Sequence, residues 1–275
     1  MSQNTKKRAR ILSFLLSLLG VLPGVADSVT RDTAFQVASS QLPAFYPGTW
    51  RLSDEYAMEN LSGETLAYTF IFAKTDAQTA KTAEFRTLAP TSFVARARLR
   101  LKEGGQSVTG NSPELYGETL FASIIISAND TEPPVLRCFQ GLPVHVVKEE
   151  DALALVAKER GAGAWRVSRR LMLGLFDEAF CLENADDASA SQVVDMRSGS
   201  VVTKADAQGR SRMKKHGIAD DAERVRMCQA AWKTAVAQSK KSAVDVQPDP
   251  ANARQKVSNG KAPSLPLRRT SVVDH

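Results

Sequence analysis

Gly117–Pro143, GETLFASIIISANDTEPPVLRCFQGLP, constrains the fold more than any other stretch of the chain. In an extended segment Leu120, Ala122, Ile124 and Ile126 project to one side, and Phe121, Ser123 and Ile125 to the other. Both sides are mostly apolar, so the segment has to be covered above and below. The β-branched run Ile124–Ile126 favours a pleated strand over a buried helix. Asn129-Asp130 supplies turn chemistry, and Pro133-Pro134 removes two backbone donors, so the next strand starts at Val135. Val135-Leu136-Arg137-Cys138-Phe139 is that strand, closed by Gly141 and Pro143. A buried hairpin is predicted here, at the centre of the body.

The first 26 residues read as a secretory signal peptide. Lys6, Lys7, Arg8 and Arg10 form its basic region, and Ile11–Leu22 its apolar region, which is too short for a stable membrane span. Small residues place the cut between Ala26 and Asp27. The product is expected to be secreted or periplasmic, with no transmembrane span after processing. Beyond the leader the charge is uneven: residues 27–203 carry 17 basic and 23 acidic side chains, net −6, whereas residues 204–275 carry 15 and 7, net +8. An acidic body with a basic tail does not suit a nucleic-acid-binding surface.

Ser28–Leu42 reads as a helix with an apolar stripe of Ala34, Val37, Ala38 and Leu42. Trp50–Ser53 begins a short strand, Leu66–Lys74 is a strong strand, and Thr75–Thr91 is a polar excursion. Ser92–Leu101, SFVARARLRL, alternates with period two and is predicted to be a half-buried strand. Arg96, Arg98 and Arg100 then share one face, either as an anion-binding row or as a solvated face that discourages edge pairing. Glu149–Arg160 is a second helix with buried Leu153, Val156 and Ala157. Apolar Leu171–Phe176, the strand Glu178–Glu183 and a hairpin of Gln192–Met196 with Ser200–Thr203 complete the body.

The order contains a repeat. Val37-Ala38 matches Val156-Ala157, Trp50-Arg51-Leu52-Ser53 matches Trp165-Arg166-Val167-Ser168, and Leu66-Ala67-Tyr68 matches Glu178-Ala179-Phe180 in position. Helix, Trp-Arg-apolar-Ser, then strand is one supersecondary unit used twice. The fold class is therefore α+β: two related helix-plus-antiparallel-sheet units, 27–147 and 148–203, followed by a basic tail. In the tail Lys204–Lys215 reads as a linker and Ile218–Gln238 as an amphipathic helix. Ile218, Val225, Trp232 and Val236 form the stripe of that helix, which could meet the body, a partner helix or an anionic surface. Lys240–His275 is expected to be disordered.

Little in the sequence names a reaction. His145, His216 and His275 are far apart and lack metal-ligand spacing, and no nucleotide fingerprint or cofactor motif occurs. Of the three cysteines, Cys138 and Cys181 both fall on predicted strands and form the favoured disulfide, with buried free thiols as the alternative. Cys138 and His145 could in principle meet across a turn as nucleophile and base, but the favoured reading of Cys138 is a core residue of its strand. Asn60-Leu61-Ser62 and Asn129-Asp130-Thr131 have the form of glycosylation sequons.

The helix, the Ala67–Phe70 strand Ala-Tyr-Thr-Phe, Phe121–Ser127 and Pro134-Val135-Leu136 together resemble the propeptide domain of streptopain-like cysteine peptidases and the related streptopain inhibitor. Val193–Gly199, at the end of the second unit, resembles the PepSY module. The resemblance covers about residues 30–145 and more weakly 149–203. It implies a non-catalytic binding protein that occupies an exported partner, a cysteine peptidase for instance, by surface complementarity. No catalytic domain follows, so a self-processing zymogen is not expected. The alternative is an envelope-associated structural or adhesion protein whose basic tail holds anionic surface polymers.

Overall fold

The computed structural model describes residues 28–75, 89–161, 163–187, 190–215 and 222–242. All belong to one of two compact units, Met1–Val244, the other being Asp245–His275. The leader with its Ala26–Asp27 cut, Ile218, His216, His275 and the tail beyond Ser242 lie outside the described residues.

The first copy of the repeat comprises α1 (Arg31–Phe45), β1 (Trp50–Glu59), β2 (Thr65–Lys74), α2 (Pro90–Glu103), β3 (Phe121–Ser127) and β4 (Val135–Gln140). A short helix α3 (Val144–Val147) leads into the second copy: α4 (Glu149–Arg160), β5 (Trp165–Gly174), β6 (Asp177–Asn184), β7 (Ser191–Asp195) and β8 (Ser200–Val202). Two further helices follow, α5 (Lys204–Lys215) and α6 (Ala222–Ser242). The strands form one mixed sheet in the order β4-β3-β2-β1-β5-β6-β7-β8. The fold is α+β.

Each copy contributes an antiparallel four-stranded meander, and the two meanders join through a parallel contact of only two residue pairs, Met58–Arg170 and Glu59–Leu171. A parallel join between equivalent strands corresponds to a rotation about an axis running along the strands, which turns the sheet over. The repeat helices accordingly fall on opposite faces. Helix α1 packs on Phe70, Phe72, Ala122, Ile124 and Ile126, and α4 packs on Phe180, Leu182 and Val194. The remaining areas are covered separately, α2 and α3 lying on Ile71, Ala73 and Phe121 and α5 on Ala179, Cys181 and Val193. The central strand β3 is buried at all seven of its residues, because both of its faces are covered in this way. Gly117 and Gly141 bracket the hairpin with φ of 56° and 96°, where an added Cβ would come within 2.9 Å of the Phe93 and Phe121 rings and of the Tyr116 carbonyl respectively.

The repeat extends to single bonds. Trp50 Nε1 donates to the carbonyl of Tyr46 at 2.9 Å, and Trp165 Nε1 donates to that of Gly161 at 3.3 Å. Both acceptors cap the preceding helix. The register slips by one residue at Ser53 in β1 and at Ser168 in β5. Two residues later each strand reaches the first residue of its helix with charges exchanged: Glu55 pairs with Arg31, and Arg170 with Glu149. Aligned on these first residues, buried Ala34 and Ala38 correspond to Ala152 and Val156. That alignment is one position away from the match of Val37-Ala38 to Val156-Ala157.

Three expectations are corrected. Ser92–Leu101 is part of helix α2, not a strand. Its alternating residues are Ala, Arg and Leu, all strong helix formers, with Pro90 at the first turn. Phe93, Val94, Ala97 and Leu101 form the buried helical stripe, while Leu99, on the expected inner face, is 58% exposed. Arg96 and Arg100 therefore sit a turn apart on the outer side, and Arg98 turns inward to Glu150 and Asp151 of α4. The single row of arginines does not exist. Lys204–Lys215 is likewise helical rather than a linker. The Thr203 hydroxyl accepts from the Asp206 amide and donates to its carboxylate, a capping arrangement, and Arg210 docks the helix by pairing with Asp195. The tail thus carries two helices. Lys240–Ser242 complete α6 instead of being disordered. Among the described residues no helix is long and apolar enough to cross a membrane.

Candidate functional site

The β5–β6 hairpin folds over the first copy. Met172 packs against Met58, Ala67 and Ile125, with Leu136 and Phe139 beside them. A polar cluster is enclosed at this junction. Arg137 of β4 donates from Nη1 to Glu178 Oε1 of β6 at 2.6 Å. The other Glu178 oxygen lies 3.0 Å from Nδ1 of His145, which α3 holds fully buried. Burial alone would push the Glu178 carboxyl up. The hydrogen bond and charge of His145, together with Arg137, outweigh it and hold the group below the usual glutamate range. Nδ1 is therefore the donor toward an ionised carboxylate.

Tyr56 of β1 fills the middle of the cluster, with the His145 ring edge-on at 5.4 Å and the Arg170 guanidinium 4.0 Å from its centroid. Its hydroxyl donates to Asp54 at 2.6 Å. Burial, reinforced by the Asp54 charge, pushes the phenol far above its ordinary value. Arg170 in turn donates to Glu149 at 2.6 Å.

His145 and Glu178 have the arrangement of a base with its orienting carboxylate, but among the described residues no Cys or Ser is seen to bond to them. His145 Nε2 is buried and has no partner among the described residues. Cys138 points into the core beneath α1, on the opposite face of the sheet. Burial pushes its thiol up to about 12, the reverse of an activated nucleophile. Cys138 thus packs into the core of its strand and does not meet His145, and the Cys138–Cys181 disulfide is not formed. Both thiols are free, Cys181 lying beneath α5 in the other copy. Among the described residues no group of three His, Cys, Asp or Glu could hold a metal ion.

The surface of the junction is more informative than its interior. Each copy's first hairpin tip reaches to the other copy and is held by an arginine. Arg169 Nη1 donates to the Leu61 carbonyl at 3.2 Å. Arg137 Nη1 reaches the Leu175 carbonyl at 3.5 Å, the limit of a hydrogen bond. The tip of the first copy is polar. Asn60 Oδ1 accepts from the Ser62 and Glu64 amides, and Leu61 packs against the core beneath α5. The tip of the second copy presents Leu175 at 42% and Phe176 at 72% exposure. Arg137 lies between the Phe139 and Phe176 rings, 5.3 Å from each centroid, and braces that tip. Both sequons are accounted for as turns, since Asn129 Oδ1 likewise accepts from the Thr131 amide.

Helix α6 lies along α1. Trp232 is 5% exposed and donates from Nε1 to the Glu132 carbonyl at 2.9 Å, while Val225 and Val236 are half-buried. A pocket of about 160 Å³ between α4 and β6–β7, lined by Lys148, Leu155, Phe180 and Met196, is smaller than an ordinary small-molecule site. The Arg137–Glu178–His145 cluster escaped sequence reasoning because its members come from three separated elements. Leu175-Phe176 could have been noticed as an apolar pair at a two-residue turn, where Asn and Gly are usual. No protein-family model, curated protein or solved structure matches the chain.

Proposed function

We propose that this is an exported, non-catalytic binding protein that occupies another exported protein, a streptopain-type cysteine peptidase being the partner class that its sequence resemblance implies. The observation that supports the reading is the Leu175–Phe176 tip. The corresponding tip of the first copy is absorbed into the fold, whereas this one leaves an aromatic side chain in water. It is also held in place by Arg137, which is itself anchored to buried Glu178. A rigid aromatic anchor loses little conformational freedom on docking, and residues of this kind dominate binding energy. A convex projection two residues wide suits insertion into a cleft. The second reading is envelope attachment through the basic tail: among its described cations Arg210 and Arg224 are engaged with Asp195 and Glu132 of the body, while Lys233 and Lys240 are exposed.

The test is inhibition of a streptopain-type cysteine peptidase by the purified protein and by the double variant Leu175→Ser, Phe176→Ser. The variant should keep its circular dichroism and thermal midpoint but lose at least about tenfold in inhibition. Inhibition unchanged by the substitutions, or no binding by the wild type, would remove the basis of the reading.

A further inference from the structure

We propose that β4 is a self-pairing edge through which two copies of this chain join their sheets, independently of any peptidase partner. Strand β4 ends the sheet. The bonds Gly141 N–H to Phe121 O and Ser127 N–H to Pro134 O set the phase of its ladder with β3. With the register Ser123–Phe139 and Ile125–Arg137, the backbone groups of Phe139 and Arg137 face β3, and those of Val135, Cys138 and Gln140 face outward. Among the described residues nothing engages the outward amide and carbonyl of Cys138.

Native sheets guard their edges with Pro, Lys, bulges or very short strands. Here the prolines precede the strand at Pro133-Pro134, and the bulge falls at Leu136. Arg137–Gln140 has only the charge of Arg137 to guard it, and that charge is paired with Glu178. The opposite edge, β8, is three residues long.

The chemistry of this edge fits a second copy. A two-fold axis through Cys138 pairs the strand antiparallel with itself, Cys138 opposite Cys138. Arg137 of each copy then faces Phe139 of the other. Arg137 already stacks on its own Phe139 at 5.3 Å, so pairing extends an existing contact across the axis with no like charges opposed. The outward Cys138 groups, one donor and one acceptor, satisfy those of the second copy.

The test uses the whole exported protein. Sedimentation and light scattering over about a hundredfold dilution should show a monomer–dimer equilibrium. Amide exchange at Cys138 should slow at least about tenfold in the dimer, while the inward Phe139 amide is unchanged. Cys138→Pro removes the outward donor together with the thiol packed beneath α1, and should be monomeric at every concentration. Should that variant misfold, the exchange comparison on wild-type protein still decides. A wild type that stays monomeric when concentrated, or Cys138 exchange independent of concentration, overturns the proposal.

Discussion

Glu178 shows how much one side chain can be asked to hold. It is 6% exposed and joins β6 to β4 through Arg137 and to α3 through His145. Glu178→Gln leaves the Arg137 guanidinium without its counter-charge at a largely enclosed site, and should lower the unfolding free energy at neutral pH by about 3 kcal/mol. Chemical denaturation of the two proteins measures the difference. The pH dependence has a definite sign. Glu178 is ionised to lower pH in the fold than in the unfolded chain, so its contribution is whole above the unfolded carboxylate value of about 4.3 and fades as pH falls through the folded one. Asp195 adds in the same direction, since burial is outweighed there by the Arg210 bond and charge and by the Arg197 and Ser198 amides. Stability should therefore fall steeply below about pH 4, and Glu178→Gln should flatten that fall.

At the scale of elements, the exchanged ion pairs give each helix its own address. Were α1 to dock on the second meander, Arg31 would meet Arg170; were α4 to dock on the first, Glu149 would meet Glu55. Arg31→Glu should cost about 1 kcal/mol, the pair being about a third exposed, and adding Glu55→Arg should restore most of it. A double-mutant cycle by denaturation reads this directly. Elements were legible in the sequence where burial alone decides them. The Ile124–Ile126 strand, the two repeat helices and the Trp-Arg-apolar-Ser motif could be read because their apolar spacing has one interpretation. Helix α2 was not legible, because an alternation of Ala, Arg and Leu satisfies a period of two while its propensities and its Phe93–Leu101 stripe satisfy 3.6. Helix α5 hid for a different reason. Among the described residues its apolar contact with the body is Ala207 and its ionic contact is that of Arg210.

On the scale of the molecule, the tail helices belong to the body. Trp232 and Ala235 share one core with α1 and β3. Trp232→Ala should lower the unfolding free energy by about 3 kcal/mol while leaving a single cooperative transition by calorimetry. A separate earlier melting step would show instead that α6 is peripheral. The junction cluster was invisible at sequence level on this scale too, since Arg137, His145 and Glu178 meet only once the second hairpin has folded over the first copy.

The turning over of the sheet between the copies has a historical consequence. A unit copied in tandem with this geometry shields only one side of each meander, and the two bare sides face opposite ways. No single addition could cover both. Helix α2, inserted between β2 and β3, and helix α5, after β8, are then two halves of one requirement. Neither can be trimmed alone without leaving an apolar half-face wet, although they lie at distant points in the chain.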